Sequence, residues 1–286
     1  MAIRNPVEWV AGNLGTTATG LTAAGRAIHP ADEAGSQSPP VVRKIDTADV
    51  LEALAAGFRD FAAQRTDVLF IGVIYPLAGL LIARVMAGYD MLPLIFPLVA
   101  GFALLGPVAA AGLYEMSRRR ELGEDSGWMD AFHVFSAPSI GAIIALGLVL
   151  AVIFLLWMMA AMGIYSMTLG PEMPTSLSGF ASDVLTTGPG WIMIATGIGA
   201  GFLFALLTLT ISVVSFPLLV DRKVGVLTAV RTSMRAMAVN PVPMLFWRAI
   251  VAGSLALGAL PLLLGLIVVV PVLGHATWHL YRRVVA

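Results

Sequence analysis

Long apolar stretches dominate the chain and predict membrane-spanning helices. A bilayer core about 30 Å thick is crossed by about 20 mainly apolar residues. Four stretches meet this length, at 68–88, 92–117, 139–165 and 191–220. A further apolar stretch, 244–281, is too long for one helix, and a turn near 259–261 divides it into spans at 244–259 and 262–281. The pattern therefore predicts an all-α membrane protein with six transmembrane helices.

The distribution of basic residues favours six spans over five. Short cytoplasmic loops of membrane proteins are enriched in Lys and Arg. With six spans and both termini inside, the cytoplasmic segments hold nearly all of the basic residues outside the tail, among them Arg43, Lys44, Arg118, Arg119, Arg120, Arg222, Lys223, Arg282 and Arg283. Only Arg84 falls near an outside connection. A five-span arrangement places Arg282 and Arg283 outside, so we expect six spans with both termini cytoplasmic.

The N-terminal segment differs in character from the rest of the chain. Charged residues such as Glu8, Arg26 and Asp32 interrupt it, so it lacks the continuous apolar region of a signal peptide. The run AGSQSPP at 34–40 is typical of a flexible linker. We therefore expect a flexible cytoplasmic tail over 1–45 and a transmembrane domain over 46–286.

Composition excludes several classes of protein. The chain is 58% hydrophobic and 12% charged, whereas soluble proteins carry about 25% charged residues. The formal net charge is +0, so no overall field attracts nucleic acid. The absence of cysteine excludes disulfides and thiolate chemistry. The composition is that of an integral membrane protein.

Two segments of the chain are similar to each other. A shift of 176 places 50–54 on 226–230, and Arg59 on Arg235; a shift of 164 places Arg118 and Arg119 on Arg282 and Arg283. A third copy begins near 129–132. We expect three parallel repeats, each an amphipathic surface helix followed by a transmembrane hairpin. In the first surface helix, the predicted apolar stripe consists of Val50, Leu54, Phe58 and Phe61.

Ionisable residues are rare in the predicted spans and lie toward their ends. Glu115 precedes Arg118 and Arg119 by one helical turn, which predicts ion pairs rather than a proton relay. Arg84 and Arg248 are close enough to the membrane surfaces to snorkel. This scarcity of buried charge argues against catalysis and against ion-coupled transport.

Two histidines form the main candidate for a metal site. His275 and His279 are four residues apart, on one helical face near the inner end of the last span. Such a pair is compatible with metal or haem binding, and Glu115 and His133 are expected near the same surface. The pair lacks the acidic partner of the HExxH motif. We therefore interpret these histidines as interfacial residues and expect no metal, cofactor or catalytic residue.

The fourth span carries a face of small and hydroxylated residues. Its members are Gly197, Gly201, Ala205, Thr208, Ser212 and Ser215. Such a face lets helices approach closely, so we interpret it as a packing surface. A solute path lined by Thr208 and Ser212 is the alternative.

Two segments resemble a known family. The run GLYEMSRRRELGE at 112–124, preceded by LGP at 105–107, and the run SFPLLVDR at 215–222 are similar to an uncharacterised proteobacterial family of predicted integral membrane proteins. The resemblance covers about 41–283 and implies a bacterial inner-membrane protein. Some relatives are labelled as resembling cytochrome c oxidase subunit I. A haem–copper core needs more intramembrane histidines than His275 and His279.

The sequence leaves three functional hypotheses open. We expect a non-enzymatic scaffold or assembly factor that binds other membrane proteins or lipids through amphipathic elements at 49–64, 128–135 and 224–238. The alternative is a channel or facilitator for a small neutral or apolar solute. A metal- or haem-binding protein that uses His275 and His279 is the second alternative.

Overall fold

The structure is a helical bundle in all of its described parts. The computed structural model describes residues 40–63, 79, 80, 84, 91–124, 128–136, 139–172, 174–261 and 264–286. Residues 1–39 and nearly all of the predicted span 68–88 lie outside the described residues. Within the described part the regular elements are helices, and β-type pairing is confined to one isolated bridge between Val42 and Val285.

The described α-helices follow the predicted order of elements. Their bounds are α1 Thr47–Ala63, α2 Leu92–Phe102, α3 Gly106–Ala109, α4 Ala111–Glu121, α5 Ile140–Thr168, α6 Leu177–Thr186, α7 Gly188–Ser212, α8 Ser215–Asp221, α9 Val226–Val239, α10 Pro241–Ala259 and α11 Leu266–Val284. Two 3-10 helices, Ala103–Leu105 and Trp128–Ser136, complete the set. Proline occupies the first turn of α7 and of α10, where its missing N–H leaves no helical bond unmade.

Four helical segments are long and apolar enough to cross a membrane. In the described part of the chain they are Leu92–Glu121, Ile140–Thr168, Gly188–Asp221 and Pro241–Ala259. They coincide with four of the predicted spans and confirm the all-α membrane class. Helix α11, the predicted sixth span, is not among them, because its second half carries His275, His279 and other polar side chains. Its place in the membrane stays a prediction.

Trp157 of α5 packs against both α2 and α7 in the apolar part of the bundle. Its indole Nε1 donates a hydrogen bond to the Pro97 carbonyl of α2 at 2.8 Å, so its polar atom is satisfied away from water. A Cβ built on Gly101 would lie 2.6 Å from the Trp157 ring, and one built on Gly201 would lie 3.1 Å from it. The two glycines therefore let α2 and α7 approach the ring of α5 from two directions.

Replacing Gly201 should separate α7 from α5. Because the Pro97 hydrogen bond fixes the Trp157 ring, a leucine at position 201 has no space, and we expect Gly201→Leu to destabilise the bundle by about 1–3 kcal/mol. Gly197→Leu is the matched control, because a Cβ there meets nothing within 4 Å. Thermal unfolding in a mild detergent compares the two variants. Equal melting temperatures would contradict this packing.

The arginine-rich end of the bundle has a central core of three helices. Helices α4, α8 and α11 all contact one another there. Outside them, α1 packs along α11, the 3-10 helix Trp128–Ser136 packs on α4, and α9 packs on α8. The core contains large side chains that are fully buried, among them Leu113, Met116, Phe216, Leu218, Trp278 and Tyr281. A filled core and a surrounding ring of surface elements thus form this end of the molecule.

A buried polar cluster as candidate functional site

Helix α1 is fixed at its start by a reciprocal pair of hydrogen bonds. The Asp49 backbone N–H donates to the Asp46 carboxylate, and the Asp46 N–H donates to the Asp49 carboxylate, both at 3.0 Å. This capping box satisfies two backbone donors that the first helical turn leaves free. Arg283 of α11 donates to the same Asp49 carboxylate at 2.8 Å. The backbone hydrogen bond, assisted by Arg283, lowers the pKa of Asp49.

The buried face of α1 is made of small residues and one carboxylate. Val50, Ala53, Gly57 and Asp60 are the buried positions. A Cβ on Gly57 would lie 2.6 Å from the Ala276 Cα of α11, so only glycine permits this backbone-to-backbone approach. The close approach brings Asp60 into the interior. The predicted stripe is confirmed at Val50, Leu54 and Phe61, which pack on the core, and was wrong at Phe58, which is exposed.

Asp60 is the centre of a polar cluster that joins three helices. Its side chain is 8% exposed and accepts hydrogen bonds from Ser117 Oγ of α4 at 2.7 Å and from His279 Nε2 of α11 at 2.8 Å. Arg120 Nε lies 3.2 Å from the other carboxylate oxygen. The Ser117 hydroxyl also lies 2.7 Å from His275 Nδ1. The cluster therefore comprises one carboxylate, one hydroxyl, two imidazoles and a guanidinium.

The hydrogen bonds determine where the protons lie. Because the Ser117 hydroxyl donates to Asp60, its oxygen accepts from His275 Nδ1, which must carry a proton. His275 is fully buried, and its Nε2 has no hydrogen-bond partner. Burial by itself favours the protonated carboxyl of Asp60, but the hydrogen bonds from His279 and Ser117 outweigh it and lower the pKa of Asp60. Asp60 is therefore held as a carboxylate.

The cluster contains the residue types of a catalytic triad in an arrangement that does not serve nucleophilic attack. In a triad the histidine lies between the serine and the carboxylate. Here the Ser117 hydroxyl lies between Asp60 and His275 and donates to the carboxylate. Ser117 is 1% exposed, so a substrate carbonyl has no access to it. The hydrogen bonds of Asp60 instead hold α1 against α4 and α11.

The other residues of the predicted metal site lie apart from this cluster. Glu115 binds Arg118 at 2.8 Å and Arg119 at 3.0 Å, which confirms the predicted ion pairs. His133 lies 3.1 Å from Asp130 on the 3-10 helix. Among the described residues, no group of three or more His, Cys, Asp or Glu side chains is arranged to hold a metal ion.

The two histidines differ from their interpretation as interfacial residues. His275 is fully buried, and the His279 side chain is 25% exposed. Both point from α11 toward Asp60 and Ser117 rather than toward the membrane surface. Asp60 and Ser117 were not predicted as their partners. The available signal was the spacing of Asp60, three residues after Gly57 on the small-residue face.

The predicted small-residue face of α7 divides into three parts. Gly197 faces open space, and Gly201 contacts Trp157. Thr208 and Ser212 are buried, and neither hydroxyl has a hydrogen-bond partner. Ser215, at the start of α8, donates to the Ile211 carbonyl. The face therefore packs against α5 at Gly201, and two of its three hydroxyls, those of Thr208 and Ser212, have no hydrogen-bond partner.

The outer face of α1 is apolar and open. Leu51 is 52% exposed, and Phe58 is 57% exposed. Together with Leu54, Ala55, Arg59 and Val272 of α11 they line a shallow groove. On the opposite side of α1, Asp60 hydrogen-bonds to Ser117 and His279. The groove therefore lies on a helix that is held in place.

The middle of the chain matches a known family. The family model described as "Predicted integral membrane protein (DUF2189)" matches residues 95–221, which confirms the resemblance there. The match runs from α2 to the end of α8; it includes Ser117 but not Asp60, His275 or His279. Comparisons with curated proteins and with solved structures give no match. The chain is thus similar to a family of integral membrane proteins of unknown function.

Proposed function

We propose that this integral membrane protein is a non-enzymatic scaffold that binds another membrane protein through the outer face of α1. The observation that carries the proposal is the combination of a locked inner face and an open apolar outer face on one helix. Asp60 and Gly57 fix the inner face against α11, while Leu51 and Phe58 remain about half exposed. A rigid apolar surface binds a partner without the entropic cost of first being ordered.

The proposed partner is a membrane protein because of the groove's composition and position. The groove combines a surface helix with Val272, which lies in the apolar first half of α11. An occupant therefore contacts the membrane and the aqueous surface together. Arg59 lines the groove beside the apolar residues, so the surface also offers a positive charge. An amphipathic segment of an integral membrane partner fits this pattern.

The second candidate is a channel for a small neutral solute. The unpartnered hydroxyls of Thr208 and Ser212 favour it, because a buried hydroxyl without a partner is costly unless a ligand or water satisfies it. The large side chains between α4, α8 and α11 count against it, since they fill the described centre of the bundle. We therefore place the scaffold first.

The proposed topology has six spans with the arginine-rich end in the cytoplasm. Arg43 N–H donates to the Val284 carbonyl, and Ala286 N–H donates to the Val41 carbonyl. Residues 42 and 285 therefore lie on the same side of any membrane, which requires an even number of crossings between them. Six spans satisfy this parity, and the positive-inside rule assigns this end to the cytoplasm. The bacterial inner membrane is the proposed location.

The arrangement of surface elements supports the proposed threefold repeat. The units are α1 to α4, the 3-10 helix Trp128–Ser136 to α8, and α9 to α11. The surface element of each unit packs on the last helix of another, in cyclic order. Chance similarity between short sequence segments does not account for this closed ring of contacts. We propose parallel repeats about an axis along the membrane normal.

Co-purification from native membranes tests the scaffold role. We expect a tagged protein in mild detergent to retain one integral membrane protein at near-equal stoichiometry. The double variant Leu51→Glu and Phe58→Glu should lose it by at least tenfold, because charge would enter an apolar contact. Leu122→Glu is the matched control, since Leu122 is 62% exposed at the same end of the bundle, outside the groove. Retention by the double variant would contradict the proposal.

A further inference from the structure

Arg248 lies in an apolar helix, and its side chain has no charged partner in the described part of the chain. It lies in α10, one of the segments that are apolar enough to cross a membrane. Its Nη2 donates to Thr210 Oγ1 of α7 at 2.5 Å, and its Nε is buried without a partner. No described carboxylate forms an ion pair with it. A guanidinium has five N–H donors, so most of its binding capacity is unused.

The depth of Arg248 corresponds to the level of lipid headgroups. Helix α10 starts after Asn240, whose side chain bonds the Ile45 N–H and the Arg43 carbonyl at the arginine-rich end. Arg248 follows Asn240 by two turns, about 12 Å along the axis. Helical side chains point back toward the N-terminus of their helix. The guanidinium therefore lies between the hydrocarbon core and the arginine-rich surface.

Exposed leucines line the surface beside this cation. Leu207, one turn before Thr210 on α7, is 48% exposed. Leu245, one turn before Arg248 on α10, is 55% exposed. Acyl chains would contact these leucines while a phosphate group approaches the guanidinium. The Thr210 hydroxyl donates its proton to the Leu206 carbonyl, so it positions the guanidinium and leaves phosphate binding to Arg248. The combination of a cation and adjoining apolar surface matches an amphiphile better than a free anion.

We propose that Arg248, positioned by its hydrogen bond to Thr210, binds the phosphate of an anionic phospholipid in the leaflet at the arginine-rich end. The phosphate accepts hydrogen bonds from the guanidinium, and its net charge balances the cation. The site is independent of the α1 groove and of the scaffold role. It assigns Arg248 a ligand, where the sequence predicted only that the side chain snorkels.

Native mass spectrometry of the full chain tests this site. The protein is reconstituted in nanodiscs of phosphatidylcholine with one-fifth phosphatidylglycerol, and the lipids that stay bound after release are identified. We expect retained phosphatidylglycerol in preference to phosphatidylcholine, and at least a tenfold lower bound fraction for Arg248→Met. Arg231→Met removes an exposed arginine from α9, outside the α1 groove, and should leave the bound fraction unchanged. Equal retention by Arg248→Met, or equal retention of both lipids, would overturn the proposal.

Two further measurements use the unmodified protein. A photoactivatable phosphatidylglycerol should crosslink to peptides that contain 203–210 or 245–252, and crosslinks confined to other peptides would overturn the assignment. Sodium phosphate should give little of the thermal protection that phosphatidylglycerol gives in detergent. Equal protection by sodium phosphate would identify the ligand as free phosphate and reject the lipid.

Discussion

Asp60→Ala should destabilise the protein more than any other single change at the arginine-rich end. The substitution leaves the Ser117 hydroxyl, His279 Nε2 and Arg120 without the carboxylate that they now bind. Removing one partner from a buried charged network costs about 3–5 kcal/mol. We expect a melting temperature lower by on the order of 10 °C, measured by thermal unfolding in a mild detergent.

The control for Asp60→Ala is another acidic residue of the same helix. Glu52 pairs with Arg283 at 2.7 Å, and its side chain is 65% exposed. An exposed ion pair contributes about 0–1 kcal/mol, so Glu52→Ala should barely change the melting temperature. If Asp60→Ala and Glu52→Ala gave the same shift, the cluster would not hold α1 on the bundle.

The pH dependence of stability should follow from the same carboxylate. The pKa of Asp60 is lowered in the folded protein, so the network contributes its stability above the ordinary carboxyl pKa of about 3.9. That contribution is lost as the pH falls through the lower, folded pKa. We expect the wild type to be more stable than Asp60→Asn at about pH 5. This stability difference should shrink below about pH 4, and a constant difference throughout would contradict this assignment.

Gly57→Ala should lift α1 from α11. The added Cβ would meet the backbone of Ala276 at 2.6 Å, and backbone atoms cannot rotate away as a side chain does. Overpacking typically costs about 1–3 kcal/mol, and we expect a value at the upper end. Gly253→Ala in α10 is the control, because a Cβ there meets nothing within 4 Å.

A single cysteine reports whether α1 has moved. The chain has no cysteine, and Ser117 lies beneath Asp60 of α1 with 1% exposure. Ser117→Cys is nearly isosteric and should resist a water-soluble maleimide in the Gly253→Ala background. It should react at least tenfold faster in the Gly57→Ala background. Equal labelling rates in both backgrounds would show that α1 tolerates the added methyl group in place.

Hydropathy predicted four of the membrane segments because apolar length is a local property of the sequence. The four described spans coincide with predicted apolar stretches. The ion pairs of Glu115 with Arg118 and Arg119 also follow from spacing within one helix. Val41 and Arg43, which lie within the predicted tail, form backbone hydrogen bonds with Ala286 and Val284. That contact joins positions far apart in sequence, so no local pattern indicates it.

The polar cluster was not predicted because its members come from three distant segments. Asp60, Ser117 and His275 meet only after α1 packs on α11 and α4. The decisive signal was Gly57, whose missing side chain permits the close approach. A prediction of the buried face from helical periodicity is dominated by large apolar residues such as Phe58. Small residues, however, form the tightest helix contacts. This competition leaves Phe58 on the exposed side of α1, whereas Val50, Leu54 and Phe61 of the predicted stripe pack toward the core.

Site-specific photocrosslinking in intact membranes tests the scaffold role most directly. A benzophenone amino acid replaces Phe58 in the open groove, and the same group at Leu122 serves as the reference. We predict that position 58 gives one discrete crosslinked product with an integral membrane protein, and that the added Leu51→Glu substitution abolishes it. Crosslinks to phospholipid alone at position 58, or the same protein products from positions 58 and 122, would contradict a specific docking surface on α1.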